Sequence, residues 1–178
     1  MLIGGIKAIS FDENIIRNEI IKFARGLKHY KYEHGKCGPD SFDCCGYVWY
    51  VYNQVMGINI FKGDNRYTGT GKVWMGKYGT LTVHNKDDDI NYKLSHIKPG
   101  DILFFHRQSI NDNEPRPDNK YPGHCGIYLD NYRFIHCVTG TKQMVIISNF
   151  LNNPKWQRIL VASKDMITNN KIKKNIKL

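Results

Sequence analysis

The order of the predicted elements, helices first and strands afterwards, is typical of an α+β domain. Two observations predict this order. Apolar residues recur at helical spacing in the first third of the chain, and short apolar runs of strand length follow residue 97. The chain has 178 residues, 41% of them hydrophobic, which is enough for one domain with its own core. We predict a single domain over residues 1–165 and a basic C-terminal tail over residues 166–178.

The first predicted helix runs from about Phe11 to Leu27. Ser10 and Glu13 have the spacing of a capping box, in which two side chains satisfy backbone N–H groups at the helix start. The apolar residues that follow recur every three or four positions: Ile16, Ile20, Phe23, Ala24 and Leu27. Residues 28–42 contain glycine, proline and tyrosine, and we predict that they form a loop.

The second predicted helix begins near Cys44 and ends at Gly57, with Asp43 or Ser41 as its cap. Its apolar face is formed by Val48, Val51, Tyr52 and Val55. The N–H groups and the dipole of a helix start stabilise a thiolate, which is the reactive form of cysteine. At this point two interpretations of Cys44 and Cys45 are open: a reactive thiolate with a neighbour, or two small buried residues.

No metal site, cofactor or disulfide framework is predicted. The five cysteines are odd in number and contain no Cys-x-x-Cys pair, which disfavours structural zinc. The acidic run Asp87–Asp89 lacks the spacing and the glycine of a calcium loop, so a solvated turn is favoured. Residues 57–95 contain many glycines and give no clear pattern of secondary structure.

The second half of the chain is predicted to be a sheet. Ile102–Phe105 is a short buried strand, and 124–129 and 133–137 form a hairpin. Residues 144–148 and 158–163 are two further strands, with Trp156 covering the core edge between them. Residues 107–123 are polar, contain three prolines and are predicted to form a long loop.

The hairpin register decides where two histidines point. A three-residue loop, 130–132, would pair Leu129 with Arg133 and place His136 opposite Gly126, on the same sheet face as His124. A two-residue loop would place the two histidines on opposite faces. The same register predicts that Cys125 and Cys137 lie opposite each other on the other face, as small, buried and reduced residues.

These positions suggest nucleophilic catalysis. A cysteine nucleophile needs a base within hydrogen-bond distance, and the base needs a group that orients it. Cys44 would be the nucleophile, His124 the base and His136 the orienting group. Backbone N–H groups at the helix start, including that of Cys44, would stabilise an oxyanion.

Four segments, in this order, resemble motifs of the NlpC/p60 family of papain-like cell-wall cysteine peptidases. They are Phe42-Asp43-Cys44-Cys45-Gly46-Tyr47-Val48, Pro99-Gly100-Asp101-Ile102-Leu103-Phe104-Phe105, Gly123-His124-Cys125-Gly126-Ile127-Tyr128-Leu129 and Arg133-Phe134-Ile135-His136-Cys137. The order and spacing agree from about Phe11 to Ser163, which is nearly the whole chain.

The resemblance implies a papain-like α+β fold, with N-terminal helices packed on a mostly antiparallel sheet of about five to six strands. It implies a cysteine endopeptidase without a cofactor that cleaves an amide bond in the stem peptide of bacterial peptidoglycan, usually the D-γ-glutamyl–diamino acid bond. It assigns catalysis to Cys44, His124 and His136. It assigns substrate binding to Asp43, Tyr32 and the position of Cys45.

Three departures from the family pattern concern the substrate. Cys45 lies where the family usually has serine, which replaces a hydroxyl by a weaker thiol donor. His34 lies where a tryptophan often precedes the loop glycine. The segment 107–123 is longer than the usual link between its two strands.

The net charge of +10 predicts attraction to a polyanion, and anionic wall polymers are one candidate. A nucleic-acid partner is not predicted, because no aromatic motif is interleaved with the basic residues. The apolar N-terminus is too short for a signal peptide, and no apolar run is long enough for a membrane span. We therefore expect a phage or mobile-element lysin that is made in the cytoplasm and acts on the wall after release or delivery. A papain-like amidase or acyltransferase, and a polyanion-binding domain without activity, are the alternatives.

Overall fold

The computed structural model describes residues 12–60, 78–106 and 122–168. Ser10, residues 107–121 of the predicted long loop and residues 169–178 of the predicted tail lie outside these ranges. The described chain forms four helices and eight strands in an α+β arrangement, which confirms the predicted fold class. Among the described residues, no helix is both long and apolar enough to cross a membrane.

Two helices precede the sheet, and both were predicted. Helix α1 spans Glu13–Gly26 and α2 spans Cys44–Met56. The cap of α1 is Asp12 rather than the predicted Ser10, because the Asp12 carboxylate accepts a hydrogen bond from Asn14 N at 2.9 Å. The cap of α2 is Asp43, and Gly57 ends this helix in the left-handed conformation with φ at 63°. Between them, β1 (Lys31–Tyr32) and β2 (Ser41–Phe42) form a short parallel pair within the predicted loop.

The central sheet has six strands in the order β3-β8-β4-β5-β6-β7, and every neighbouring pair is antiparallel. The strands are β3 (Thr80–Val83), β4 (Ile102–Phe105), β5 (His124–Asp130), β6 (Arg133–Cys137), β7 (Val145–Asn149) and β8 (Leu160–Asp165). Two short helices, α3 (Ile90–Ser95) and α4 (Pro154–Ile159), were not predicted. Asp89 caps α3, so part of the acidic run begins a helix. Met166 and Ile167, beyond the predicted end of the domain, are buried.

The sheet separates two hydrophobic clusters. Helices α1 and α2 pack on one face, where the buried side chains include Ile127, Ile135 and Cys137. Phe105, Phe134 and Phe150 are buried in the second cluster, and Trp156 of α4 packs against it. Successive side chains of a strand point to opposite faces, so β6 sends Phe134 and His136 to the second cluster and Ile135 and Cys137 to the first.

The hairpin between β5 and β6 has the predicted register at Ile127 and Tyr128, but neither the predicted Leu129–Arg133 pair nor the predicted loop is present. The loop has two residues, Asn131 and Tyr132, with φ at 44° and 64°. Asp130 pairs with Arg133, while Tyr128 pairs with Phe134, so Leu129 is an extra residue in a β-bulge. The bulge offsets the shorter loop and keeps His124 and His136 on one face.

A buried ion cluster joins α1 to the sheet. Arg17 Nη1 donates a hydrogen bond to Asp101 Oδ1 at 2.8 Å, and Arg17 Nη2 lies 2.9 Å from Asp165 Oδ1. Asp101 also accepts a bond from the backbone N–H of Lys98 at 2.9 Å. The aspartate of the Pro-Gly-Asp segment is therefore a structural residue, which closes the turn before β4.

Candidate active site

The start of α2 is held by the Asp43 carboxylate. Its Oδ1 accepts hydrogen bonds from Cys45 N at 3.0 Å and Gly46 N at 2.8 Å, and its Oδ2 accepts one from Gly35 N at 2.9 Å. Asp43 therefore fixes the loop before the helix as well as the first turn that carries Cys44. A side chain at position 46 would not fit, because a Cβ there would lie 2.0 Å from the Lys36 carbonyl oxygen.

Two histidines and a serine form a line of hydrogen bonds that leads away from Cys44. The Cys44 side chain forms a hydrogen bond with His124. His124 Nε2 lies 2.7 Å from His136 Nδ1, and His136 Nε2 lies 2.8 Å from Ser148 Oγ on β7. The predicted juxtaposition of Cys44, His124 and His136 is thus present in the structure.

The Cys44 thiol has a pKa well below its ordinary value. The largest cause is a hydrogen bond with the Cys125 side chain, followed by one with Cys45, and interaction with His124 acts in the same direction, whereas burial opposes it. Burial and the hydrogen bonds with Cys44 and Cys45 raise the pKa of Cys125 well above its ordinary value. Cys125 therefore stays protonated at neutral pH, and its Sγ also lies 3.4 Å from the Cys44 carbonyl oxygen, to which it can donate.

The second histidine is neutral. Burial, together with repulsion from His124, lowers the pKa of His136 well below its ordinary value. A neutral imidazole has one N–H and one unprotonated nitrogen, so His136 bonds His124 with one nitrogen and Ser148 with the other. It can therefore fix the ring of His124 without competing with it for a proton.

Aromatic side chains hold both imidazole rings. The ring centroid of Trp156 lies 5.6 Å from that of His124 and 5.0 Å from that of His136. Phe105 packs against His124 at 5.8 Å, and Phe134 packs against His136 at 4.7 Å. These contacts restrict rotation of the imidazoles, so the line of hydrogen bonds is supported by packing on the second cluster.

Cys44 and His124 line one pocket of about 520 Å³. Tyr32, which the resemblance assigns to substrate binding, lies on its wall, and Trp156 on α4 forms another part. The remaining lining residues include His106, Asn153 and Lys155, which the sequence did not single out. The pocket therefore gives a substrate access to both members of the cysteine–histidine pair.

The structure does not support direct substrate contact by Asp43 and Cys45. Their side chains lie inward of Cys44, and the residues are 1% and 0% exposed. Asp43 is occupied with backbone N–H groups, and Cys45 Sγ lies 3.5 Å from Cys125 Sγ. Consecutive helical residues are rotated by about 100°, so Cys45 cannot face the pocket when Cys44 does. Both residues support the nucleophile from behind.

Three further residues of the site were missed. Ser148 lies in a predicted strand, but the sequence does not predict its hydrogen bond with His136. The hairpin register predicts that Cys125 lies on the sheet face opposite to the histidines, but it does not predict that α2 covers this residue. The Trp156 contact depends on α4, whose single turn and a half leaves no periodic signal in the sequence.

Residues 29–165 match a family model described as the NlpC/P60 family. The chain is 28% identical over 138 residues to the probable endopeptidase YafL of Escherichia coli (strain K12), covering 77% of this chain and 45% of YafL. It is 25% identical to the murein DD-endopeptidase MepH of the same strain over 138 residues, covering 77% of this chain and 41% of MepH. The gamma-DL-glutamyl hydrolase of Bacillus subtilis (strain 168) is 24% identical over 146 residues, covering 82% and 29% of the two chains. The chain spans less than half the length of these relatives.

Solved structures share the fold. NlpC1 from Trichomonas vaginalis superposes with a TM-score of 0.59 at 24% sequence identity, covering 85% of this chain and 44% of that one. The family model extends from the loop before α2 to the end of β8, and so includes Cys44, His124 and His136. The chain therefore belongs to the NlpC/P60 family.

Proposed function

We propose that this protein is a peptidoglycan hydrolase, a cysteine endopeptidase that cleaves an amide bond of the stem peptide. The observation that carries the proposal is the line from Cys44 through His124 to His136, whose first two members open into the same pocket. The name of the murein DD-endopeptidase MepH among the relatives supports the substrate class.

The geometry suggests a two-stage reaction. The Cys44 thiolate attacks the amide carbonyl carbon, and the oxyanion that forms is stabilised by N–H groups at the start of α2. His124 gives its proton to the leaving amine, which leaves a thioester on Cys44. His124 then takes a proton from water, the water attacks the thioester, and the carboxylic acid is released. His136 keeps the His124 ring in place during both stages.

We propose the D-γ-glutamyl–diamino acid bond as the bond that is cut. The hydrolase of gamma-DL-glutamyl bonds among the relatives supports this choice, whereas the DD-endopeptidase MepH represents the competing choice. Tyr32 and Lys155 on the pocket wall offer a hydroxyl and a cation to the polar ends of a stem peptide. The net charge of +10 favours binding to anionic wall polymers, and this attraction should weaken with salt. Action on the wall after release, as a phage or mobile-element lysin, is part of the same proposal.

Mass spectrometry of digested peptidoglycan tests the proposal. The wild type should produce new muropeptide ends, and Cys44→Ala should reduce their rate of appearance by about 10⁴-fold or more. Cys45→Ser should still hydrolyse the substrate, since Cys45 does not reach the pocket. The mass of the new ends identifies the bond. Activity that survives in Cys44→Ala and is lost in Cys45→Ser would contradict the assignment of the nucleophile, and no new ends from the wild type would contradict the function.

A further inference from the structure

Three thiols meet at the start of α2, and one of them belongs to the proposed nucleophile Cys44. Cys44 and Cys45 lie in the first turn of α2, and Cys125 lies on β5. The Sγ atoms of the three residues all lie within 4.8 Å of one another, and those of Cys45 and Cys125 are 3.5 Å apart. The proposed hydrolysis requires only the thiol of Cys44, so the other two invite a separate explanation.

The spacing of the sulfur atoms suits a tetrahedral metal ion. Zinc binds thiolate at about 2.3 Å, so two thiolates of one tetrahedral site lie roughly 3.8 Å apart. The Cys45–Cys125 sulfur separation of 3.5 Å is close to this value, and the other two sulfur separations are no longer than 4.8 Å. Soft thiolate ligands select ions such as Zn²⁺ over Mg²⁺ or Ca²⁺.

His124 lies beside Cys44 but outside this group of three ligand atoms. Its side chain forms a hydrogen bond with Cys44, and its Nε2 meets His136 Nδ1 at 2.7 Å. The ligands that the structure brings together are therefore the three sulfur atoms, and the fourth position of a tetrahedral ion would be open to water from the pocket.

The surroundings can accept the charge of such a site. Three thiolates around Zn²⁺ carry a net charge of −1, and two of them lie in the first turn of α2, where the helix dipole favours negative charge. Cys44 lines the 520 Å³ pocket, which gives the ion an entry path, whereas Cys45 and Cys125 are fully buried. Binding releases the protons of Cys45 and Cys125, so affinity should fall as the pH falls.

We propose that Cys44, Cys45 and Cys125 form a zinc site that reversibly blocks the active site. The ion would bind the nucleophile Cys44 beside His124, and removal of the ion would free the thiol. The blocking effect rests on the proposed function, whereas the binding itself does not. Zinc availability would then decide whether the proposed hydrolase is active.

Metal binding is measured on the reduced protein without oxygen, with Co²⁺ as a spectroscopic probe. The wild type should show a thiolate-to-cobalt charge-transfer band and the intense visible bands of tetrahedral Co²⁺, at one ion per chain, and Zn²⁺ should displace the probe. The double variant C45S/C125V should lose both spectral features and bind Zn²⁺ at least about 100-fold more weakly, since it loses two ligands. Cys37→Ser is the matched control, because it also removes a thiol but one outside the cluster, and its affinity should equal that of the wild type.

Three results would overturn the zinc site: no tetrahedral Co²⁺ spectrum in the wild type, equal Zn²⁺ affinity in the wild type and the double variant, or a loss of affinity in Cys37→Ser. Circular dichroism of each variant shows whether it is folded, and the single variant Cys125→Val repeats the test with a near-isosteric change. Failure of the proposed function is distinguishable, since it would leave muropeptides uncut while the cobalt spectrum persists.

Discussion

Two polar clusters occupy opposite ends of strand β4, and they differ in how their charges are neutralised. At the start of the strand, Arg17 is bonded to Asp101 and Asp165, and its side chain is 6% exposed. At the end of the strand, Phe105 pairs with His124, where thiols and imidazoles open into a pocket. The first cluster is closed by opposite charges, whereas in the second the Cys44 thiolate is stabilised by hydrogen bonds, His124 and the start of α2.

The difference between the two clusters distinguishes structural residues from candidate functional residues within the segments that resemble the family. Asp101 and Cys44 both belong to segments that carry the family resemblance, yet only Cys44 reaches the pocket. A buried charge with a full set of partners holds two elements together, and removing one partner is costly. A group that lines a pocket and has a shifted pKa is instead available for chemistry. Variants at the start of β4 should therefore change the free energy of unfolding, whereas variants at its end should change catalysis and the reactivity of Cys44.

The largest effect on stability is expected for Arg17→Met. Removing the guanidinium leaves Asp101 buried without its main partner, so the free energy of unfolding should fall by about 3–5 kcal/mol. Urea denaturation followed by circular dichroism measures it. Lys22→Met is the control, because Lys22 forms an exposed ion pair with Glu19 at 3.7 Å and should change stability by less than about 0.5 kcal/mol. A change in the pH profile of Cys44 alkylation in Arg17→Met would contradict the separation of the two clusters.

The second prediction concerns catalysis and the histidine cluster at the end of β4. His136→Asn should lower kcat for muropeptide hydrolysis by about 100-fold, with little change in KM, because His136 orients His124 and does not touch the substrate. Steady-state kinetics on a defined muropeptide provides both values. Ser148→Ala should have a smaller effect, since Ser148 acts one hydrogen bond further from Cys44. An equal rise in KM with unchanged kcat would show that His136 acts in binding.

The pH dependence of stability should follow Asp101. Burial raises the pKa of Asp101 to about 6, and hydrogen bonding to Arg17 only partly offsets this. The folded state then holds the proton to a higher pH than the unfolded chain, whose carboxyl titrates near 4. This contribution to stability is complete below about pH 4 and is lost as the pH rises through 6, at a cost of about 3 kcal/mol. The denaturation midpoint of the wild type should therefore fall relative to that of Asp101→Asn as the pH rises from 4 to 7. A rise of the wild-type midpoint relative to the variant would show that the sign is wrong.

The smallest effect is expected for Cys125→Val. The Cys44 pKa should rise toward its ordinary value, because the Cys125 hydrogen bond is the largest cause of its lowering. Alkylation of Cys44 by iodoacetamide at pH 7 should slow by no more than about tenfold, as one neutral hydrogen bond contributes roughly 1 kcal/mol. Cys137→Val is the control, since that thiol donates to the Phe42 carbonyl oxygen. An unchanged alkylation profile in Cys125→Val would show that the helix start and His124 suffice.

The sequence predicts the parts of this molecule that depend on short-range patterns. The two long helices and β4 follow from periodicity and helix caps, and they place Cys44. The shared face of His124 and His136 was predicted from a three-residue loop, whereas the structure reaches it through a two-residue loop and the bulge at Leu129. The short elements β3, α3 and α4 were missed because four to six residues carry too few repeats of either period. The burial of Cys45 beside Cys125 joins residues that are 80 positions apart, so no local pattern predicts it.

The bulge at Leu129 limits which insertions and deletions this lineage can accept. Most surface turns tolerate a gain or loss of single residues, because nothing downstream depends on their length. Here, deletion of Leu129 alone would reverse the alternation of β5 relative to β6 and send His124 and His136 to opposite faces. Length changes at this turn must therefore arise in compensating pairs, so its length should vary less among descendants of this gene than its residue identities.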